Sequence, residues 1–322
     1  MLKPPAFWYN DPGWQVSLLS PIANKYAQIA TKRIMAPSTY KADVPVICIG
    51  NMVMGGAGKT PLTQGLCSVL PGAHILSRGY GRTKKMSVLV DPLLHSYQEV
   101  GDEPLLLSQF APTWVGSDRN AIARLATQAG AKYLLLDDGF QNPSLHKDLN
   151  LVVVDAFSAF GNEHIFPAGP LREPLEQGIE RADALVFVGR NNPSLMDRFR
   201  DRLPVTMARV LPNAKDLMAL QGQNVVAFAG LARPGKFYQM LDLEGIHVEE
   251  CISFADHYPY TKADMDNLLK RAKRENAALV TTRKDFVRIP HQYREHVHTI
   301  DISVGLDKVF FEDLFHKKGI TT

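Results

Sequence analysis

The sequence predicts an α/β protein, a mostly parallel sheet with helices on both faces followed by a smaller C-terminal α/β domain. Three observations carry that expectation. Short apolar, β-branched runs at 44–49, 133–136, 151–154 and 184–188 alternate with segments of helical spacing, the pattern of strands buried on both faces. Directly after the first run stands Gly55-Gly56-Ala57-Gly58-Lys59-Thr60-Pro61, and behind it Leu62, Leu66 and Val69 keep helical spacing. At 322 residues the chain exceeds one average domain, and a strand, loop and helix rhythm restarts at 224–229.

Strand, glycine-rich turn and helix together make a phosphate-binding loop, so the sheet is expected to be P-loop NTPase-like. Backbone N–H groups converge on an anion there, aided by the positive end of the helix dipole. Lys59 would reach the β- and γ-phosphates and the Thr60 hydroxyl would bind Mg²⁺. The strict pattern wants glycine six positions before the lysine, where this chain has Val53. Pro61 suits the first helical turn, where a missing N–H costs little.

Composition excludes several classes. Hydrophobic residues at 45% and charged residues at 21% argue against disorder and against a multi-span membrane protein. The net charge of +3 is concentrated at one end: residues 1–41 hold Lys3, Lys25, Lys32, Arg33 and Lys41 against Asp11 alone. No nucleic-acid partner and no obligate protein partner are expected. Cys48, Cys67 and Cys251 are isolated, as in a reducing cytosol, and neither a signal peptide nor a spanning segment is expected.

Taken in order, residues 1–41 carry Phe7, Trp8, Tyr9 and Trp14, then a helix expected to start at Ser20-Pro21 with Ile22, Tyr26, Ile29 and Arg33 on one face. Aromatics and lysines around such a face suit an interfacial membrane helix, and equally a helix packed on its own domain. Residues 42–211 form the phosphate-loop domain. A strand near 74–77 ends in Arg78-Gly79-Tyr80-Gly81-Arg82, which reads as a phosphate or head-group clamp or as a solvated basic turn. A second strand is expected at 87–90 and a Leu-rich helix at 105–110, with Asp102 just before it as a cap. A strand at 113–115 leads to a helix opening near Arg119, and 133–136 runs into Asp137-Asp138-Gly139-Phe140-Gln141. Acids at the carboxyl edge of a parallel strand, downstream of a phosphate loop, are placed to hold Mg²⁺. The segment 161–174, rich in proline and glycine and containing Arg172 and Glu173, reads as a long functional loop. Residues 212–322 form the smaller domain, with strands at 224–229 and 277–282, a charged helix at 262–275 and a last strand at 297–302. His257, in the loop 254–260, reads as a structural histidine or a proton partner for a carboxylate.

Gly-Asn-x-x-x-Gly-Gly-x-Gly-Lys-Thr-Pro at 50–61, Ser-Arg-Gly-Tyr-Gly at 77–81, Gly-Asp-Glu-Pro at 101–104 and Asp-Asp-Gly-Phe-Gln at 137–141 resemble the tetraacyldisaccharide 4'-kinases of lipid A biosynthesis. Pro-Ala-Gly-Pro-Leu-Arg-Glu-Pro at 167–174, Asp-His-x-x-Tyr at 256–260 and Thr-Thr-x-Lys-Asp at 281–285 extend the likeness in the family's order. That family also follows the strict phosphate-loop pattern only loosely. The resemblance implies γ-phosphate transfer from ATP, with Mg²⁺, to the 4'-hydroxyl of an acylated glucosamine disaccharide 1-phosphate, a lipid A disaccharide precursor. It implies a peripheral enzyme on the cytoplasmic face of the bacterial inner membrane. By the same resemblance Asp102 is the base, His257 its partner and Lys59 the third catalytic residue. The nucleotide-binding set becomes Gly55, Gly56, Ala57, Gly58, Lys59, Thr60, Arg78, Arg119, Gln141, Arg172 and Glu173, and the metal set Thr60, Asp137 and Asp138. Closure of the smaller domain is expected to carry His257 towards Asp102.

The alternative class is a phosphate-loop nucleotide switch, of partition-ATPase or metallochaperone-GTPase type. A partition ATPase places a second lysine directly before Gly-Gly, where this chain has Met54, and a guanine-binding Asn-Lys-x-Asp is absent.

Overall fold

The computed structural model describes residues 4–83, 85–189 and 191–321. Its strands are β1 (Val46–Gly50), β2 (Ala73–Ser77), β3 (Val88–Leu89), β4 (Thr113–Val115), β5 (Tyr133–Asp137), β6 (Leu149–Asp155), β7 (Ala184–Val188), β8 (Val205–Pro212), β9 (Val225–Ala229), β10 (Val248–Ser253), β11 (Ala278–Thr282), β12 (His298–Ile300) and β13 (Ile302–Gly305). Nine of them form one sheet in the order β13-β8-β7-β6-β1-β5-β2-β4-β3, and four form a second in the order β10-β9-β11-β12. The larger sheet is parallel from β8 to β4 and takes an antiparallel strand at each edge.

Every residue of β1, β2, β5 and β7 is buried, as continuous apolar runs require when helices cover both faces. Alternate residues feed two cores. Cys48, Leu136, Val152 and Phe187 face the helices Arg119–Gln128, Leu175–Arg181 and Pro193–Arg200. Ile49, Leu135, Val153 and Val186 face the helices Lys59–Val69 and Lys308–Lys317, through Leu62, Leu66, Phe311 and Phe315. Strand β1 lies between β5 and β6, so its carboxyl end opens at the crevice where ligands bind in open α/β sheets.

The C-terminal boundary differs from the expectation. Residues 212–322 do not all belong to the smaller sheet: β13 returns to pair with β8, and the Lys308–Lys317 helix packs on the phosphate-loop side of the larger one. A pairing between residues 205–212 and 302–305 is long-range, and no local pattern announces it.

The first helix, Trp14–Ile34, begins ahead of Ser20-Pro21 and carries Pro21 inside it. Pro21 and Ser17 are both exposed, so water can satisfy the Ser17 carbonyl that a proline leaves without a donor. Val16 and Ala23 are buried against Ala168, Tyr26 meets the Phe166 ring edge-on, and Thr31 donates to Gln177 at 2.8 Å. Trp14, Leu18, Ile22 and Ile29 point away from the protein, each 60% exposed or more. Thus Tyr26 parts company with Ile22 and Ile29, with which it was grouped. Among the described residues no helix is long and apolar enough to cross a membrane.

Candidate active site

The phosphate loop is built where β1 ends. A Cβ on Gly50 would lie 2.4 Å from that of Phe140, so glycine there lets the loop after β5 lie against the β1 terminus. Gly58 has φ +92°, a left-handed conformation, and precedes the Lys59–Val69 helix without any side-chain cap. The first N–H groups of that helix are therefore left for an anion. Asn51, fully buried, organises the loop: its Nδ2 donates to the carbonyls of Val53 (2.8 Å) and Gly55 (3.3 Å), and its Oδ1 accepts from Lys59 Nζ at 3.2 Å. Val53 forms an antiparallel bridge with Leu171, so valine is tolerated where the strict pattern has glycine.

The two acids diverge in environment. Asp137, the last residue of β5, is buried, and its Oδ1 has no hydrogen-bond partner among the described residues. Burial first, then the Glu103 charge, push its carboxyl up to about 7 against the pull of Lys59. Asp138 takes φ +52°, which turns its carboxylate to Lys59 (3.5 Å) and Arg172 (2.9 Å). Desolvation raises its pKa, but Lys59 and then Arg172 outweigh that and bring it down to about 2. Arg119 opens its helix, buried, donating to the Gly116 carbonyl at 2.8 Å and leaving Nε without a partner among the described residues. Burial and then the nearby Arg78 charge lower its pKa, and the charges of Asp137 and Asp138 oppose them. Arg78 follows β2 and is exposed.

Gln141 and Glu173, expected to bind nucleotide, are engaged with the protein itself. The Gln141 amide donates to the Asn51 carbonyl (2.8 Å) and to Glu173 (2.9 Å), while buried Glu173 pairs with Arg181.

Asp102 and His257 come from different sheets. Asp102 is the first residue of the Asp102–Leu107 helix, with Gly101 in the cap position, so the helix starts earlier than 105. Asp102 is therefore not the side-chain cap expected of it: its Oδ1 accepts the N–H of the next residue, Glu103, at 3.0 Å, and Oδ2 lies 2.7 Å from His257 Nδ1. His257 is held at φ +59°, its N–H donating to the Gly230 carbonyl at 3.2 Å. Burial pushes the Asp102 carboxyl up, but the His257 hydrogen bond, then Lys284, and then the charges of His257 and Arg288 leave it lowered to about 2. The expected closure is not needed for this contact, because the two side chains already touch.

A profile of the tetraacyldisaccharide-1-P 4'-kinase family matches residues 15–318. The chain belongs to that family. It is 44% identical over 315 residues to a Rhodospirillum centenum tetraacyldisaccharide 4'-kinase, covering 95% of this chain and 94% of that one. A Dinoroseobacter shibae relative of the same name is 43% identical, again with 95% and 94% covered. A crystal structure of an Aquifex aeolicus protein in complex with ATP matches with a TM-score of 0.75 and 29% identity, over 94% of this chain and 99% of that one.

In this kinase, then, Lys59, Asp138 and Arg172 form one contact group at the phosphate loop, and Asp102 and His257 a second. Three residues that support one group or the other were not singled out from the sequence. Asn51 was visible only as part of a motif. Lys284 pairs with Glu103 at 3.1 Å across the two sheets, and fully buried Arg288 places Nε 3.7 Å from Asp102 Oδ2. For Arg288 no sequence signal existed.

Proposed function

We propose that the kinase transfers the γ-phosphoryl group of ATP to the 4'-hydroxyl of a tetraacylated glucosamine disaccharide 1-phosphate, with Asp102 as the base. The observation that carries this reading is the 2.7 Å contact between Asp102 and His257 at the edge of the sheet that also holds the phosphate loop. The acceptor oxygen bonds to the γ-phosphorus as the bond to the β,γ-bridging oxygen breaks, ADP leaves, and the hydroxyl proton passes to the Asp102 carboxylate. A carboxylate of low pKa is adequate in a loose transition state, where the hydroxyl becomes acidic only as its oxygen joins phosphorus. His257 holds Asp102 ionised and oriented through Nδ1. Lys59 and the free N–H groups of its helix hold the phosphates, and Arg119, Arg78 and Arg172 supply charge for the transferred group or for the acceptor's 1-phosphate.

Thr60, Asp137 and Asp138 fit a divalent cation, because Asp137 presents a buried oxygen that nothing among the described residues satisfies. When bound, Mg²⁺ neutralises phosphate charge. The Trp14–Ile34 helix fits the cytoplasmic surface of the inner membrane: Leu18, Lys25 and Lys32 recur every seven residues, as do Ile22 and Ile29, on the side opposite buried Val16 and Ala23.

The test is transfer of labelled γ-phosphate to tetraacyl disaccharide 1-phosphate in mixed micelles. Lipid-bound label that disappears with Lys59→Ala and drops ~10²- to 10⁴-fold with Asp102→Ala is the expected result. Nucleotide hydrolysis without labelled lipid would overturn the reading.

A further inference from the structure

Arg288 takes no part in the proposed transfer and touches none of the residues that hold phosphate. It is nonetheless the bulkiest side chain that is completely enclosed, at 2% exposure. Burying a guanidinium is costly unless every donor is used, so its partners indicate what it is for. One terminal nitrogen donates to Asp285 Oδ1 at 2.6 Å and to the Gly230 carbonyl at 3.2 Å, and the other to the Tyr258 carbonyl at 3.3 Å. Nε lies 3.4 Å from the Lys284 carbonyl and 3.7 Å from Asp102 Oδ2.

Two of these contacts bracket His257. Gly230 accepts the His257 N–H, and Tyr258 is the next residue along the chain. His257 itself sits at φ +59°, a conformation that costs a non-glycine residue of order 1–3 kcal/mol and persists only where its surroundings over-determine it. Asp285 completes the clamp: fully buried, it accepts from Gly230 N–H, Tyr260 Oη, Thr282 Oγ1 and Arg288. One guanidinium therefore fixes the residue after the histidine and the carbonyl that the histidine N–H meets, and sets a charge beside the carboxylate that the histidine addresses.

We propose that Arg288 is a positioning residue for phosphoryl transfer: its fork to Tyr258, Gly230 and Asp285 holds His257 against Asp102, and its charge stands beside the Asp102 carboxylate. The inference rests on Asp102 being the base. The groups facing Asp102 are His257, Lys284 and Arg288 from the smaller sheet's side, and Glu103 and Tyr97 from its own, with Asp256 3.8 Å from the far nitrogen of His257. Of the side-chain cations beside it, Lys284 is paired to Glu103, which leaves Arg288 as the guanidinium charge not shared with Glu103.

The test uses the full chain in the mixed-micelle transfer assay. Arg288→Lys keeps a charge and loses the fork. The pair Asp285→Asn with Arg288→Met removes the charge without stranding a buried carboxylate, and melting curves check that both variants fold. We expect the pair to lower kcat by roughly 30-fold or more with the KM for ATP within about twofold, and to raise the acid limb of the kcat profile by only about half a pH unit, because the Asp285 charge lost with the guanidinium offsets part of its effect. Arg288→Lys should lower kcat less and leave the acid limb in place. In an Asp102→Ala background neither change should lower kcat further, since a positioning residue has nothing left to position. Unchanged kcat and acid limb in folded variants would overturn the inference, as would a further loss of equal size without Asp102. Full turnover in Asp102→Ala alone would instead remove the base assignment on which the inference stands, and the two failures are thus told apart.

Discussion

Changing Leu18 and Ile22 to serine separates a helix that docks on lipid from one that merely packs on its own domain. Leu18 is 66% exposed and Ile22 60%, so most of each side chain is available to a bilayer and little of it supports the fold. Complete burial of such a side chain is worth ~1.5–3 kcal/mol, and two thirds of that is about 1–2 kcal/mol apiece. Together the two substitutions should weaken partition onto vesicles by about 2–4 kcal/mol, roughly 30- to 1,000-fold. Fold stability should fall only by the few tenths of a kcal/mol that serine costs a helix. Sedimentation with vesicles of mixed zwitterionic and anionic lipid gives the first quantity and urea unfolding the second. Label transfer to substrate dispersed in detergent should survive, because the catalytic groups lie elsewhere. Unchanged vesicle binding, or a stability loss of several kcal/mol, would refute the reasoning.

Other outcomes follow from the site. Lys59→Ala should abolish transfer, and Arg172→Ala should slow it, since both cations meet at Asp138 beside the phosphate loop; initial rates in the same assay decide. Mg²⁺ with nucleotide is expected to raise the melting temperature of the unaltered chain and Asp137→Asn to remove that gain, read by scanning fluorimetry with and without a chelator. The lowered pKa of Asp102 makes a pH-dependent contribution of known sign. Its folded value of about 2 lies below the unfolded value, so the stabilisation of about 2 kcal/mol is present above pH ~5 and is lost as pH falls from about 4 through 2. Asp102→Asn should therefore flatten the loss of urea midpoint between pH 5 and pH 3, and an identical slope in both proteins would count against the shift.

The phosphate loop and the paired acids were legible because their chemistry is written in consecutive residues. Strand β1, the glycines, Lys59 and Asp137-Asp138 each fall in one short stretch, and the local order alone implies the geometry. Other elements lacked such a signal. Strand β10 alternates partly buried Val248, Glu250 and Ile252 with exposed neighbours at the edge of its sheet, where glutamates mask an apolar pattern. Strand β8 carries Thr206, Arg209 and Pro212, and it makes sense only once β13 is seen beside it. Gln141 and Glu173 stand in motifs, but the contacts they make with Asn51 and Arg181 depend on folded neighbours that the motifs do not name. Arg288 is one arginine among many until residues 230, 258 and 285 are folded around it.

The return of β13 to the larger sheet also bears on how the protein is made. Residues 213–300, with the whole four-stranded sheet, emerge from the ribosome before 302–305, although the host sheet takes 302–305 as its edge. Gly65 of the phosphate-loop helix lies against Leu306 and Val304, so that helix finds its final seat only once residues 304–306 have been made. Synthesis therefore finishes the inserted unit first and the nucleotide-binding sheet last, and a nascent chain stalled before residue 302 would present a formed small sheet and an unfinished large one.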